Sequence, residues 1–268
     1  MLAHFERGSS EIDWCEANYE FSHSIAEFYN TISNVVFLVI PPFFMYLFRP
    51  YSAHIGQGIN LIFFLLVVIG VCSAYFHATL SLVGQLLDEL AILWVIMAAF
   101  AMWAPKWIIR ICPFYGNRHR LVYLMVLFGV FGTLLGFIHP IVNAFALLSL
   151  GPPLVSLLVY EVMGSPNKVV HRLGFFCTFL WITAIACWIN DRVFCETWKS
   201  LSFPYLHCGW HILIFVASYL ACVIAAYIHA VNEFPQYKPS IIYWPDNSYQ
   251  LGFPYVTVKV ENGKDLLA

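Results

Sequence analysis

The chain has 268 residues, of which 61% are hydrophobic and 10% are charged, and its formal net charge is −2. Because an average soluble domain has about 25% charged residues, this composition excludes an ordinary soluble domain and indicates a protein dissolved in the bilayer. The small net charge gives no basis for nucleic-acid binding, which requires clustered Lys and Arg, so membrane lipid is the expected partner.

The first 27 residues form a polar segment with six acidic residues and one Arg. They lack the basic start and apolar run of a cleavable signal peptide, so the first span is expected to target the chain. Asp13, Glu16, Asn18 and Glu27 offer oxygen ligands of the kind that Ca²⁺ prefers. Spacing alone favours a solvated acidic segment over a calcium site, since the ladder of an EF-hand loop is missing.

Seven apolar runs follow, each close to the roughly 20 residues that a membrane-spanning helix needs. They predict an all-α integral membrane protein, a bundle of seven transmembrane helices over residues 28–229, between the N-terminal segment 1–27 and a tail at 230–268. The predicted spans are Phe28 to Phe48, Ile59 to Thr79, Leu86 to Ala104, Leu121 to Ile138, Ile141 to Tyr160, Leu173 to Ile189 and Leu206 to His229.

Lys and Arg are divided unequally between the two sets of alternate loops. One side holds three, Arg7, Arg192 and Lys199, and the other holds ten: Arg49, Lys106, Arg110, Arg118, Arg120, Lys168, Arg172, Lys238, Lys259 and Lys264. By the positive-inside rule, the N-terminus is expected in the lumen or outside the cell and the C-terminus in the cytosol. The tail is rich in aromatic residues and Pro, and we expect it to be extended and packed on the bundle, or disordered.

Among the eight cysteines, this orientation places only Cys15 and Cys195 clearly on the oxidising side of the membrane. A disulfide between them would join the N-terminal segment to the loop between spans six and seven. Two free thiols are the alternative, since spacing does not fix the distance between their Cα atoms.

Five polar side chains fall near the lumenal ends of the predicted helices: Ser73, His77, Asp88, His207 and His211. Ionisable groups at membrane depth are costly and usually mark function. His207 and His211 stand four residues apart on one helical face, where two imidazoles can bind one ion, and His77 supplies a third ligand at the same depth. Three histidines with an open fourth position, which would hold water, are typical of catalytic zinc.

Two of these residues could act on a substrate held at such a metal. Ser73, one turn before His77, could donate a hydrogen bond to an oxyanion, and Asp88 could accept a proton from water and pass it to a leaving group. Glu89 is the competing carboxylate, but adjacent residues diverge by about 100° around a helix, so only one of the two should face the site. We choose Asp88. The three histidines with Ser73 and Asp88 together predict amide or ester hydrolysis. A single His would more often form only a polar contact between helices.

Several motifs resemble those of the alkaline ceramidases, and the similarity runs through essentially the whole chain. They are Asp13–Glu16, Ala26–Thr31, Tyr75–Ser81, Gln85–Glu89, Phe203–His211 and Tyr243–Pro245. Within that family the chain is most similar to the type 2 enzymes, which implies a Golgi membrane, with the endoplasmic reticulum or plasma membrane as alternatives.

The resemblance implies an enzyme that cleaves the amide of ceramide into sphingosine and a fatty acid. It implies Zn²⁺ on His77, His207 and His211, catalysis by Ser73 and Asp88, and supports the Cys15–Cys195 disulfide. It also implies structural Ca²⁺ on Asp13, Trp14 through its backbone carbonyl, Glu16, Asn18 and Glu27.

Other classes of protein are weighed against this hypothesis. A seven-span zinc-containing lipid receptor of the adiponectin-receptor type predicts an N-terminus inside, contrary to the charge count. A non-catalytic scaffold would not need the five polar residues together. A hydrolase of another N-acyl sphingolipid is the nearest alternative.

Overall fold

A computed structural model of the protein describes residues 2–111 and 116–259, and within them seven helices are long and apolar enough to cross a membrane. They occupy Phe28–Leu47, Gly58–Thr79, Leu82–Trp103, Arg118–Ile138, Ile141–Gly164, Lys168–Val193 and Leu206–Glu233. The seven predicted spans are confirmed. Lys264 and the end of the tail lie outside the described residues.

The bounds differ most in the sixth span, which begins at Lys168 rather than at the predicted Leu173. The side chain of Asn167 accepts a hydrogen bond from the backbone N–H of Val169 and caps this helix. An N-cap of this kind satisfies one of the first N–H groups, so the helix includes a polar turn that hydropathy alone leaves out.

Shorter helices connect or complete the spans, and the first span is divided at Asn34 into two helices. In chain order the helices are α1 (Phe28–Ser33), α2 (Val35–Leu47), α3 (Arg49–His54), α4 (Gly58–Thr79), α5 (Leu82–Trp103), α6 (Lys106–Ile111), α7 (Arg118–Ile138), α8 (Ile141–Gly164), α9 (Lys168–Val193), α10 (Cys195–Ser200) and α11 (Leu206–Glu233).

A tight turn joins α4 to α5. Leu80 ends α4 in the left-handed conformation, with φ of 49°, and the hydroxyl of Ser81 accepts a hydrogen bond from the backbone N–H of Gly84 at 3.1 Å. This cap starts α5 at once. His77 and Asp88 therefore lie on opposite sides of one short turn, at the same end of the bundle.

The core lies between α2, α4 and α11 and is largely aromatic. Phe44, Phe63 and Tyr219 are buried, and the rings of Phe44 and Tyr219 stack with centroids 3.6 Å apart. Lipid tails are as apolar as these side chains, so close packing rather than water exclusion holds helices together in a membrane. α7 instead exposes most of its apolar side chains, as lipid-facing helices do, and α8 exposes several of them, including Phe145 and Tyr160.

The tail contains an antiparallel β-hairpin, formed by β1 (Ser240–Asp246) and β2 (Leu251–Thr257), with Ser240 opposite Thr257. The Tyr219 hydroxyl donates to the carbonyl of Pro254 at 2.6 Å, and Val256 is fully buried. This part of the tail is packed on the bundle and adds a small sheet to the helical fold.

The N-terminal segment covers the opposite end of the bundle, where α4 ends. Backbone N–H groups of Gly8, Ala26 and Glu27 donate to the carbonyls of Thr79, Ala78 and His77 at 3.0 to 3.1 Å. The last carbonyls of a helix have no partner within the helix. The segment therefore completes the hydrogen bonding of α4 beside the predicted site.

Candidate metal centre

The three predicted histidines meet at the end of the bundle under the N-terminal segment. α4 carries His77, α11 carries His207 and His211 one turn apart, and one ligand atom from each lies within 4.8 Å of the others. All three side chains are buried. Among the described residues this is the one group of metal-ligating side chains drawn so close together.

The nitrogen atoms of this cluster fit a metal ion. Nε2 of His77 and Nδ1 of His207 are buried and make no hydrogen bond with the described residues. A buried polar atom without a partner is costly, and two such nitrogens beside a third imidazole form a donor set that suits zinc. The cluster could therefore hold a metal ion.

Two further side chains orient the imidazole rings. A carboxylate oxygen of Glu27 lies 2.5 Å from Nδ1 of His77, and the Ser33 hydroxyl lies 2.7 Å from Nδ1 of His211. Such contacts leave the other ring nitrogen for a metal and fix the ring. We predicted Glu27 only as a calcium ligand and Ser33 not at all, because helical spacing shows a face but not its neighbours.

Glu27 is fully buried just before α1. Loss of solvent on burial, with a smaller contribution from the nearby charge of Asp13, raises the pKa of its carboxyl to about 8, although hydrogen bonds from Asn30 and from the backbone of Trp14 lower it. A carboxyl in this environment is stabilised in its charged form by a cation.

Ser73 lies beside His211, and Asp88 lies beside Ser73. The Ser73 hydroxyl is 3.5 Å from Nε2 of His211, and the Asp88 carboxylate is next to Ser73. The Glu89 carboxylate instead accepts a hydrogen bond from the side-chain amide of Gln85 at 2.9 Å. Of the two adjacent carboxylates, Asp88 is thus the one near the cluster.

The predicted calcium ligands lie close to one another in the N-terminal segment. The amide of Asn18 donates to Asp13 at 3.0 Å, and the Glu16 carboxylate accepts from the backbone N–H groups of Tyr29 and Asn30 at 2.6 and 2.8 Å. The backbone N–H of Trp14 donates to the Glu27 carboxylate at 3.0 Å. The five residues are close in space, and their carboxylates are engaged by both backbone and side-chain groups.

The predicted disulfide is present between Cys15 and Cys195, whose Cα atoms are 5.3 Å apart. Asp191, on the last turn of α9, lies next to it and was not predicted as a site residue. Its carboxylate is buried and accepts hydrogen bonds from the backbone N–H groups of Cys15 and His207. A carboxylate at the end of an apolar run is the sequence signal that could have identified it.

These features define a seven-helix membrane protein with a buried, metal-competent cluster of three histidines and an adjacent serine and carboxylate. The family model described as Ceramidase matches residues 6–257. The chain is 46% identical to an alkaline ceramidase of Drosophila melanogaster, over 96% of this chain and 90% of that protein. It is 38% identical to alkaline ceramidase 1 of Homo sapiens, over 97% and 98% of the two chains.

The chain therefore belongs to the ceramidase family, and it is a hydrolase of that family.

Proposed function

We propose that the protein is a zinc-dependent amidase of the membrane, which hydrolyses ceramide to sphingosine and a free fatty acid. The observation that carries this proposal is the meeting of His77, His207 and His211 with Ser73 and Asp88 at one end of the bundle. Family membership supports the substrate, because the relatives are named as alkaline ceramidases. Family membership also argues against the alternative classes, a lipid receptor and a non-catalytic scaffold.

Zinc would be held by one nitrogen of each of His77, His207 and His211. When bound, it supplies Lewis-acid polarisation of a carbonyl oxygen and makes water more acidic. Glu27 contacts Nδ1 of His77, and Ser33 contacts Nδ1 of His211. These contacts would orient both rings before the ion binds.

The two remaining residues perform the proton and charge chemistry of amide cleavage. Asp88 accepts a proton from water as the water oxygen bonds to the amide carbon. Ser73 donates a hydrogen bond to the carbonyl oxygen as negative charge develops there. Asp88 then delivers its proton to the nitrogen as the C–N bond breaks, so sphingosine leaves as an amine.

A cavity of about 560 Å³ supports a substrate with long apolar chains. It lies between α4, α5, α8 and α11, and its lining extends from Leu66 and Ser218 to Lys106 and Glu233 at the opposite end of the bundle. Leu66 and Ser218 are each seven positions from Ser73 or His211 on the same helix, or about 10 Å at 1.5 Å per residue. A chain that runs from the cluster along these helices would enter this cavity.

We further propose that Ca²⁺ binds the N-terminal segment through Asp13, Trp14, Glu16, Asn18 and Glu27, and acts structurally. The buried acidic character of Glu16 and Glu27 supports a cation there. Because Glu27 also contacts His77, calcium bound to the segment would stabilise the metal centre.

The charge distribution supports an orientation with segment 1–27 in the lumen and the tail 230–268 in the cytosol, flanking a catalytic domain at 28–229. We propose a Golgi membrane as the location of the protein, on the resemblance to type 2 enzymes. Protease protection of tags at the two termini in sealed vesicles tests the orientation.

The function is tested with purified protein in detergent. Ceramide hydrolysis and zinc content are measured for the wild type, for His211→Ala, and for His119→Ala as a matched control. His119 is an exposed histidine at the start of α7. We expect about one zinc per wild-type chain and release of sphingosine, with both lost in His211→Ala alone.

Two results would overturn the proposal in different ways. A wild type that binds zinc but leaves ceramide and other N-acyl lipids intact would refute the amidase reaction. Hydrolysis that survives in His211→Ala would refute the role of the three histidines. Addition of a calcium chelator tests the structural cation separately, by a fall in activity and melting temperature.

A further inference from the structure

The helix that carries two of the three histidines begins without a capping side chain of its own. α11 starts at Leu206, and Tyr205, the residue before it, makes no side-chain hydrogen bond to the first turn. His207 is the second residue of this helix. The first N–H groups of a helix need external partners, and a frayed first turn would displace this ligand before it displaced His211.

Asp191 of α9 supplies the missing cap. One oxygen of its carboxylate accepts from the backbone N–H of His207 at 3.1 Å, and the side chain is only 1% exposed. The N–H of Leu206 also points to this carboxylate. A negative charge at the N-terminus of a helix is favoured by the helix dipole.

The second oxygen of Asp191 holds the N-terminal segment. It accepts from the backbone N–H of Cys15 at 3.0 Å, and Cys15 is fixed to Cys195 by the disulfide. The residue before Cys15 is Trp14, whose ring stacks on the imidazole of His207 with centroids 3.6 Å apart. One carboxylate therefore fixes both the backbone of His207 and the segment that covers its ring.

We propose that Asp191 is a positioning residue for the metal ligand His207. Its two oxygens are used at the same time by N–H donors from different parts of the chain, a task that requires a carboxylate, since the amide of Asn has one acceptor oxygen. This inference rests on the proposed metal site and extends it to a residue outside the ligand set.

The test compares Asp191→Ala and Asp191→Asn with Asn190→Ala as a matched control. Asn190 is the neighbouring residue on the same turn, and its side chain bonds back to the carbonyl of Ala186 in its own helix. Three quantities are measured: the zinc dissociation constant by chelator competition, kcat and KM for ceramide, and the melting temperature of the zinc-free protein.

We expect Asp191→Ala to weaken zinc binding by about 10- to 100-fold, the usual cost of losing a residue that supports a ligand. kcat should fall at limiting zinc and recover when zinc is added, with KM unchanged. Asp191→Asn keeps one acceptor and should lose less zinc affinity than Asp191→Ala. Asn190→Ala should match the wild type.

Wild-type zinc affinity in Asp191→Asn, or an equal loss in Asn190→Ala, would overturn the inference. If Asp191→Ala does not fold, Asp191→Asn decides the outcome. The zinc measurement needs no substrate, so a wild type that binds zinc without cleaving ceramide refutes the amidase proposal and still tests Asp191. A wild type that binds no zinc refutes both.

Discussion

The two ends of the bundle are held together by different kinds of interaction. Under the N-terminal segment, buried polar contacts dominate, such as Glu27 with His77 and Ser33 with His211. Toward the opposite end, stacked aromatic rings and the docked hairpin dominate, with Phe44, Tyr219 and Val256 as buried members. Polar contacts are directional, whereas apolar packing tolerates small changes. Damage at the first end should therefore reach the chemistry, and damage at the second should reach only stability.

Among variants that keep their zinc, the largest effect on rate is expected from Ser73→Ala, which removes the hydrogen bond to the developing oxyanion. kcat should fall by about 100- to 1000-fold, the usual cost of one such donor, while zinc content stays at the wild-type level. Ser52→Ala is the matched control, because Ser52 is a buried serine of α3 that bonds only to the carbonyl of Arg49. An equal fall in kcat in both variants would contradict a special role for the end of the bundle under the N-terminal segment.

Glu27→Ala should act through the metal. Removal of the carboxylate that orients His77 is expected to weaken zinc binding by about 10- to 100-fold, as measured by zinc titration at fixed calcium. Glu11→Ala, in an exposed part of the same segment, should bind zinc normally. Unchanged zinc affinity in Glu27→Ala would show that the contact with His77 does not orient the ligand.

At the aromatic end, Tyr219→Phe removes the hydrogen bond to Pro254 and leaves a buried carbonyl without its partner. We expect a loss of about 1 to 2 kcal/mol of stability, seen as a lower melting temperature in detergent. Zinc content and kcat should match the wild type. Tyr123→Phe, at a lipid-facing position of α7 that is 76% exposed, should leave all three quantities unchanged.

The smallest effect is expected from Glu233→Gln. This substitution weakens the ion pair of Glu233 with Arg118, whose charged atoms are 2.6 Å apart and whose side chains are partly exposed. Such pairs contribute about 1 kcal/mol or less, and salt screens them. The difference in melting temperature between the variant and the wild type should shrink at high salt. A fall in kcat in Glu233→Gln would contradict the expectation that changes at this end of the bundle affect only stability.

The spans were predictable because bilayer thickness requires long apolar runs, and the meeting of His77, His207 and His211 because ionisable groups at membrane depth are rare. The supporting contacts were not predictable, because they join residues such as Ser33 and His211 whose proximity depends on how the helices pack. Helical spacing predicted that only one of Asp88 and Glu89 would face the site, but it did not decide which one. It could not reveal that Asp191 reaches two other segments.

The β-hairpin of the tail could have been predicted from the sequence. Aromatic residues flank a polar stretch at 246–250, with Tyr243 and Trp244 before it and Phe253 and Tyr255 after it. Two such runs around a turn are typical of a β-hairpin. Our prediction of an extended segment instead relies on the aromatic and Pro content of the tail.

The contacts that close the metal-competent centre also set the order of its assembly. Cys15 meets Asp191 across 176 residues, and Ser33 meets His211 across 178. Synthesis proceeds from the N-terminus, so the first segment waits without these partners until the last two spans exist. A chain that stops before α11 has one of the three histidines. Uptake of a metal by all three histidines would therefore have to wait until α11 has been made and inserted.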